Sequence, residues 1–267
     1  LINLCGFDSL LQQEEFWIMA GEFWLDDRQW AVIGPLLPTN QPGAHRTDDR
    51  RVISGIIHVL RSGCRWQDCP ACYGPPTTIY NRFHRWSAKG IWRRLFEALV
   101  QTADRDIHMI DSTTEKRTDL LLAEKGADAE AIGRSRGGRS TKIHAVVDGC
   151  GRPIALRITP GQRGDAPVAI PLLETLPPSR LCAADTAYDS NALRDFLTAR
   201  GTEPVIPNNP TRKRIKPFDP IAYRRRNIIE RTFCRLKDWR RVATRYDKLM
   251  LNFAATCYIA ALVIWWT

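Results

Sequence analysis

Between positions 223 and 237 the chain reads YRRRNIIERTFCRLK, and one carboxylate, Glu230, stands there among Arg224, Arg225, Arg226, Arg231, Arg235 and Lys237. On a helix of about 100° per residue, Tyr223, Arg226, Glu230 and Lys237 fall within about 60° of one another. One face then presents a phenol, a guanidinium, a carboxylate and an ammonium group. A solvated, salt-bridged helix would alternate acid and base at four-residue intervals, and this stretch has almost no acids to alternate with. The face suits a phosphate backbone, with one oxygen ligand for a metal ion set into it. Hard cations such as Mg2+ need more oxygen ligands than one. Two further acids follow short apolar runs: Asp111 ends DIHMID and Asp185 ends RLCAAD. Singly, each is an ordinary turn or cap residue. Together with Glu230 they could hold two divalent ions, which activate the attacking oxygen and stabilise the leaving oxygen of a phosphodiester.

The composition agrees with a polyanionic partner. The chain has 267 residues, 44% of them hydrophobic, and a net charge of +10. That length allows one large domain or two smaller ones, and the charge favours nucleic acid or an anionic surface. Between Arg212 and Lys248 fourteen Lys or Arg face four acids, an excess equal to that of the whole chain. Eight cysteines are too few for a disulfide scaffold at this length, so we expect reduced thiols in the cytoplasm. Cys64, Cys69 and Cys72, near His58 and His84, lack the second pair that a zinc site needs; buried thiols in a small helical domain are expected instead. The first methionine is Met19, and residues 1–20 are expected to be a non-native or disordered extension. LMLNFAATCYIAALVIWW approaches bilayer length, but Asn252 and Thr256 interrupt it, so we expect a buried core helix and no membrane partner.

The elements that must position these residues fall into two groups. Residues 21–103 are expected to be helical. WLDDRQWAVIGPLLP carries Trp24, Trp30, Ile33, Leu36 and Leu37 near helical spacing, with Pro38 as a stop. TDDRRVISGIIHVLRSG has Thr47 as a cap, Val52, Ile53, Ile56, Ile57 and Leu60 on one face, and Gly63 as its end. Thr77 or Thr78 caps TTIYNRFHRWSAKG, whose arginines, Arg82 and Arg85 among them, alternate with Tyr80, Phe83 and Trp86. IWRRLFEALV follows. Short helices, a tight turn and a basic aromatic helix suit a helix-turn-helix-like DNA reader, or an ordinary helical domain with a solvated basic face. Residues 104–267 change character: DIHMID, STKIHAVVD and PIALRITP read as strands. DAPVAIPLLETL is a helix, RLCAAD a buried strand, DSNALRDFLTARG a helix and EPVIP a strand, with helix from Ile221 to the end. Three strands, then strand–helix alternation, then helices make a mixed α/β layer fold.

The spacing Tyr223-x2-Arg226-x3-Glu230-x6-Lys237 resembles the signature of the insertion-sequence-four and insertion-sequence-five transposases. The likeness extends to MIDST around Asp111, GRSRGGRSTKIHAVVD, RITPGQRGDA, AADTAYDS around Asp185 and CRLKDWRRVATRYDKL. SGCRWQDCPACYGPPTTIYNRFHRW resembles the DNA-binding region of the insertion-sequence-five type. The resemblance implies a ribonuclease H-like catalytic core of mixed sheet, preceded by an α-helical, helix-turn-helix-like DNA-binding domain. It implies Asp111, Asp185 and Glu230 as the acidic triad binding two Mg2+ ions, with Mn2+ able to substitute. Arg226, Lys237 and Tyr223 would hold transposon-end DNA. The expected activity is hydrolysis at the terminal inverted repeats followed by strand transfer into target DNA, by a homodimer on paired ends, cytoplasmic and associated with the nucleoid. At the second acid this chain reads Asp185-Thr186-Ala187-Tyr188-Asp189 where the family reads Asp-Lys-Gly-Tyr-Asp, which leaves Asp189 as a weaker ligand candidate.

Two further motifs suggest other chemistry. GRSRGGRS, from Gly133 to Ser140, is one residue from a phosphate-binding loop, but a strand follows it where such a loop opens a helix. No nucleotide cofactor is expected. A flexible basic loop laying Arg134, Arg136 and Arg139 on DNA phosphates is the preferred reading. His108 and His144 are expected to be strand-packing residues, because two-metal chemistry draws its nucleophile from water. The alternatives from other classes are a catalytically impaired DNA binder or repressor derived from such an element, and a plain nuclease without strand transfer.

Overall fold

In the computed structural model of the chain the described residues are 21–39, 48–116, 133–135 and 138–266. The expected N-terminal extension lies outside them, as do Thr47 and Arg136. The chain divides into two compact units, residues 1–82 and 83–267, where the sequence suggested a boundary at 103/104.

In the first unit, α1 (Asp27–Ile33) opens on a capping box formed by Asp26 and Gln29 and runs into a 3-10 turn at Gly34–Leu36. The helix is shorter than its apolar pattern suggested, because Pro35 lacks the N–H to continue it. Trp24 and Leu36 are exposed; Leu25, Ile33 and Leu37 form the buried face. α2 (Asp49–Ser62) is capped by Asp48, whose carboxylate accepts from the Arg51 amide, and ends at left-handed Gly63 as expected. Its five predicted apolar residues are all buried. Gly55 permits close packing there, since a Cβ would stand 2.7 Å from Tyr73 Cβ. Cys69 is buried, Cys64 partly so and Cys72 exposed, so the buried-thiol expectation holds for Cys69 alone. α3 (Pro76–Ala88) spans the division between units. It begins at a proline, with the Pro75 carbonyl accepting from the Thr78 and Ile79 amides. Thr77 and Thr78 therefore sit inside the first turn, because proline fits a position whose N–H has no partner.

The second unit carries α4 (Ile91–Val100) and a six-stranded mixed sheet. Its strands are β1 (Ile107–Lys116), β2 (Gly133–Ser135), β3 (Gly138–Val147), β4 (Pro153–Pro160), β5 (Leu181–Ala183) and β6 (Glu203–Val205). The order is β4–β3–β1–β5–β6, with β2 on the start of β3. β1, β3 and β4 run antiparallel to their neighbours, and β5 and β6 continue from β1 in parallel. α5 (Ala166–Leu173) follows β4 and α6 (Asn191–Ala199) lies between β5 and β6.

Three expectations are corrected here. β1 does not stop at Asp111: Ser112 to Lys116 keep pairing with β3, helped by the β-branched Thr113 and Thr114, so Asp111 is a mid-strand residue. GRSRGGRS is not simply a flexible loop, since β2 and β3 pair antiparallel across it with Arg134 opposite Arg139. Helix is not continuous from Ile221. It is divided into α7 (Pro220–Arg224), α8 (Asn227–Lys237), α9 (Arg240–Ala243) and α10 (Met250–Ile264). α10 is the buried core helix expected, with Phe253, Ala260 and Ala261 fully enclosed. Among the described residues no helix is long and apolar enough to cross a membrane.

Successive strand residues point to opposite faces. Ile110 and Val146 pack with Leu172 of α5 and Leu193 and Leu197 of α6. Asp111, Thr113 and Glu115 therefore share the other face.

Candidate active site

Asp111 is placed by two neighbouring strands. Met109 of β1 faces Ala183 of β5 in parallel register, so Asp111 and Asp185 each stand two residues further on. β5 has ended by then. Asp185 caps the 3-10 turn Thr186–Tyr188, its Oδ1 accepting from the Ala187 amide at 2.9 Å. Asp111 Oδ1 accepts from the Ser112 amide at 2.8 Å. Burial pushes the Asp111 carboxyl above its ordinary value, against the pull of Arg226 and the Ser112 amide, and the Asp185 charge adds to the rise.

Glu230 reaches this pair through Arg226. The Arg226 Nη2 donates to Asp111 Oδ2 at 2.5 Å and its Nη1 donates to Glu230 Oε1 at 2.7 Å. Arg226 is not inside a continuous helix. The amides of Arg225, Arg226, Ile228 and Ile229 bond three residues back, a tightened 3-10-like junction, and Arg226 caps α8. Tyr223 lies before the junction in α7, its ring edge-on to Phe218. The single face read from the sequence is thus split between two helices, yet the four-residue step from Arg226 to Glu230 survives.

The donors are all carboxylate oxygens, the chemistry that hard divalent cations take. Among the described residues, no three His, Cys, Asp or Glu side chains are gathered closely enough to hold an ion as they stand. The guanidinium of Arg226 stands between two of the acids, and its Nε is buried without a hydrogen-bond partner. One guanidinium neutralises one of three carboxylates, leaving a negative excess that suits added positive charge.

Lys237, at the end of α8, lies 3.2 Å from Glu115 Oε1. Glu115 was missed in the sequence, although the alternation in IDSTTEK already places it on the face of Asp111. Burial raises its proton affinity and Lys237 pulls it back.

Other candidates resolve differently. Asp189 is not available as a ligand: Arg194, Arg212 and the Asn209 amide hold its two oxygens at 2.8, 2.6 and 2.7 Å. Burial alone would raise its carboxyl, but these donors bring it down to about 2. Arg82 is buried in an ion pair with Asp49, so it braces α2 against α3 and is not offered to a DNA backbone; Arg85 is exposed. Arg134 and Arg139 lie on the β2–β3 hairpin, and Arg136 lies outside the described residues. His108 and His144 are buried strand residues, both lowered to about 4 by burial.

Comparisons with known proteins give the family. The sequence profile of a family described as "Transposase DDE domain" matches residues 102–266, and that of a "Putative transposase of IS4/5 family" matches residues 25–96. A putative transposase for insertion sequence element IS6501 from Brucella ovis is 39% identical over 127 residues, 47% of this chain and 98% of that protein. A putative transposase for insertion sequence element IS402 from Burkholderia cepacia is 29% identical over 137 residues, 47% of this chain and 63% of that protein. Among solved structures, the piggyBac transposase synaptic complex with hairpin DNA aligns with a TM-score of 0.40 and 14% identity, over 77% of this chain and 52% of that one.

Proposed function

The chain belongs to the transposase DDE domain family, and from that premise we propose that it cuts and joins DNA at the ends of an insertion sequence. The core reading is ribonuclease H-like, and the strand order, with β1 to β4 paired antiparallel and β5 and β6 continuing in parallel, supports it. Asp111, Asp185 and Glu230 are the proposed ligands of two Mg2+ ions. The observation that carries this is the contact of one guanidinium with both Asp111 and Glu230, beside Asp185 at the neighbouring strand end.

When bound, the ions supply Lewis acidity and lower the pKa of water. The chain supplies position and charge, which do most of the work in phosphoryl transfer. Arg226 and Lys237 are the proposed contacts to separate phosphates of the DNA end, and Tyr223 belongs to the same contact surface. Exposed residues of α3, Arg85 and Tyr80 among them, are the proposed readers of the terminal inverted repeats. Assembly as a homodimer on paired ends belongs to the same proposal.

The test is strand cleavage and joining, with labelled duplexes carrying the terminal sequences that flank the gene. Cleavage with joined product supports transposition; cleavage alone supports a plain nuclease. The rival reading, a DNA binder without catalysis, draws on the changed Thr186-Ala187 turn after Asp185 and on the Arg226 guanidinium that stands between Asp111 and Glu230. It predicts a gel shift with no metal-dependent product.

A further inference from the structure

The β1 strand carries a second acid whose place the proposed chemistry has not yet used. Glu115 lies four residues beyond Asp111 on the same face, 5% exposed at its side chain, with the Lys237 ammonium against it. Its backbone neighbour across β3 is Thr141, whose hydroxyl is taken by buried Arg245. Lys237 itself is 41% exposed. It has three donors, and the pair with Glu115 leaves others directed outward.

A buried ion pair is a poor way to stabilise a fold, because desolvation offsets the attraction. What such a pair does well is fix a geometry. A lysine stem is flexible and its ammonium wanders unless it is held. Here two rungs tie α8 to one strand: Arg226 on Asp111 at its start and Lys237 on Glu115 at its end. The acids stand about 13 Å apart along β1, and the cations about 16 Å apart along the helical path. The spacing of the two cations is thereby set by a rigid strand.

We propose that Glu115 is a positioning residue, anchoring Lys237 so that its free donors meet a phosphate of the bound DNA end. This rests on the transposase reading of Lys237 as a DNA contact. It predicts a sign that charge alone does not. Removing an acid from a basic surface strengthens DNA binding on electrostatic grounds, whereas losing the anchor weakens it.

The experiment is a double-mutant cycle on the full chain: wild type, Glu115→Gln, Lys237→Gln and both together. Affinities are measured over a salt series for a duplex carrying the terminal sequence flanking the gene and for a scrambled duplex of equal length. Glu115→Gln should lower affinity for the terminal duplex about tenfold, and for the scrambled one by a similar factor, because a phosphate contact carries no sequence information. In the Lys237→Gln background it should cost nothing further. Unchanged or tighter binding by Glu115→Gln, or an equal loss in both backgrounds, overturns the proposal. Thermal melts report folding, and Glu115→Asp carries the comparison if Glu115→Gln does not fold. It keeps the charge but withdraws it, so an intermediate loss supports anchoring and wild-type affinity opposes it. The cycle is scored on binding alone. Absence of cleavage by the wild type counts against the transposase reading, and absence of coupling counts against Glu115.

Discussion

Arg226 and Asp111 are 115 residues apart in sequence and 2.5 Å apart in space. Both side chains are mostly buried, at 16% and 15% exposure. The guanidinium supplies the positive charge that makes a buried carboxylate tolerable at the start of α8.

Replacing Arg226 with methionine removes that charge and keeps most of the bulk. Stripping one partner from a buried pair costs about 3–5 kcal/mol. A divalent ion bound to the freed acids replaces the lost charge and favours the folded state by mass action. The melting temperature of Arg226→Met should therefore fall, and added Mg2+ or Mn2+ should raise it by more than it raises that of the wild type. A melting temperature indifferent to the ions contradicts the assignment of these acids as ligands.

Asp189 offers a pH test of a carboxylate that holds the fold together. Its folded value is depressed to about 2, from an ordinary 3.8. A depressed acid contributes stability that is full above the ordinary value and fades as pH falls towards the folded one. Asp189→Asn should cost about 2 kcal/mol at neutral pH from this linkage alone, and more if Arg194 is left unpaired. The gap from wild type should begin to close below about pH 4 and be gone near pH 2. Urea unfolding of both proteins across that range measures it; a gap independent of pH contradicts the assignment.

Arg82 and Arg85 lie three residues apart on α3 and should separate cleanly. Arg82→Met breaks the buried pair with Asp49 and should destabilise the first unit. Arg85→Gln should cost less stability than Arg82→Met and reduce the salt slope of DNA binding by about one contact. Melting curves and a salt titration of both variants decide it.

The sequence was readable where local chemistry fixes the outcome. Gly63 ends α2 because a left-handed residue is needed there, and the alternation in STKIHAVVD gives β3. It was less readable where tertiary pairing extends or interrupts a pattern. Asp111 looked terminal because apolar residues stop there, yet β3 carries the strand on to Lys116. Tyr223 and Lys237 looked as if they shared one helix, yet the chain tightens at Arg226. In the candidate site, the three acids could be named from the resemblance. Glu115 could not, because a carboxylate in a polar stretch looks solvated until its strand is shown to be covered by α8.

Asp111, Asp185 and Glu230 are proposed to act together on a phosphodiester with a divalent ion. The direct measurement is nicking and joining of labelled terminal duplex by wild type, Asp111→Asn, Asp185→Asn and Glu230→Gln, with Mg2+ or Mn2+ and with chelator. Product should come from the wild type only when the ion is present, and from no single variant, while all four still shift the duplex in a gel. Product from any of the three variants at the wild-type rate, or from the wild type in chelator, would contradict it.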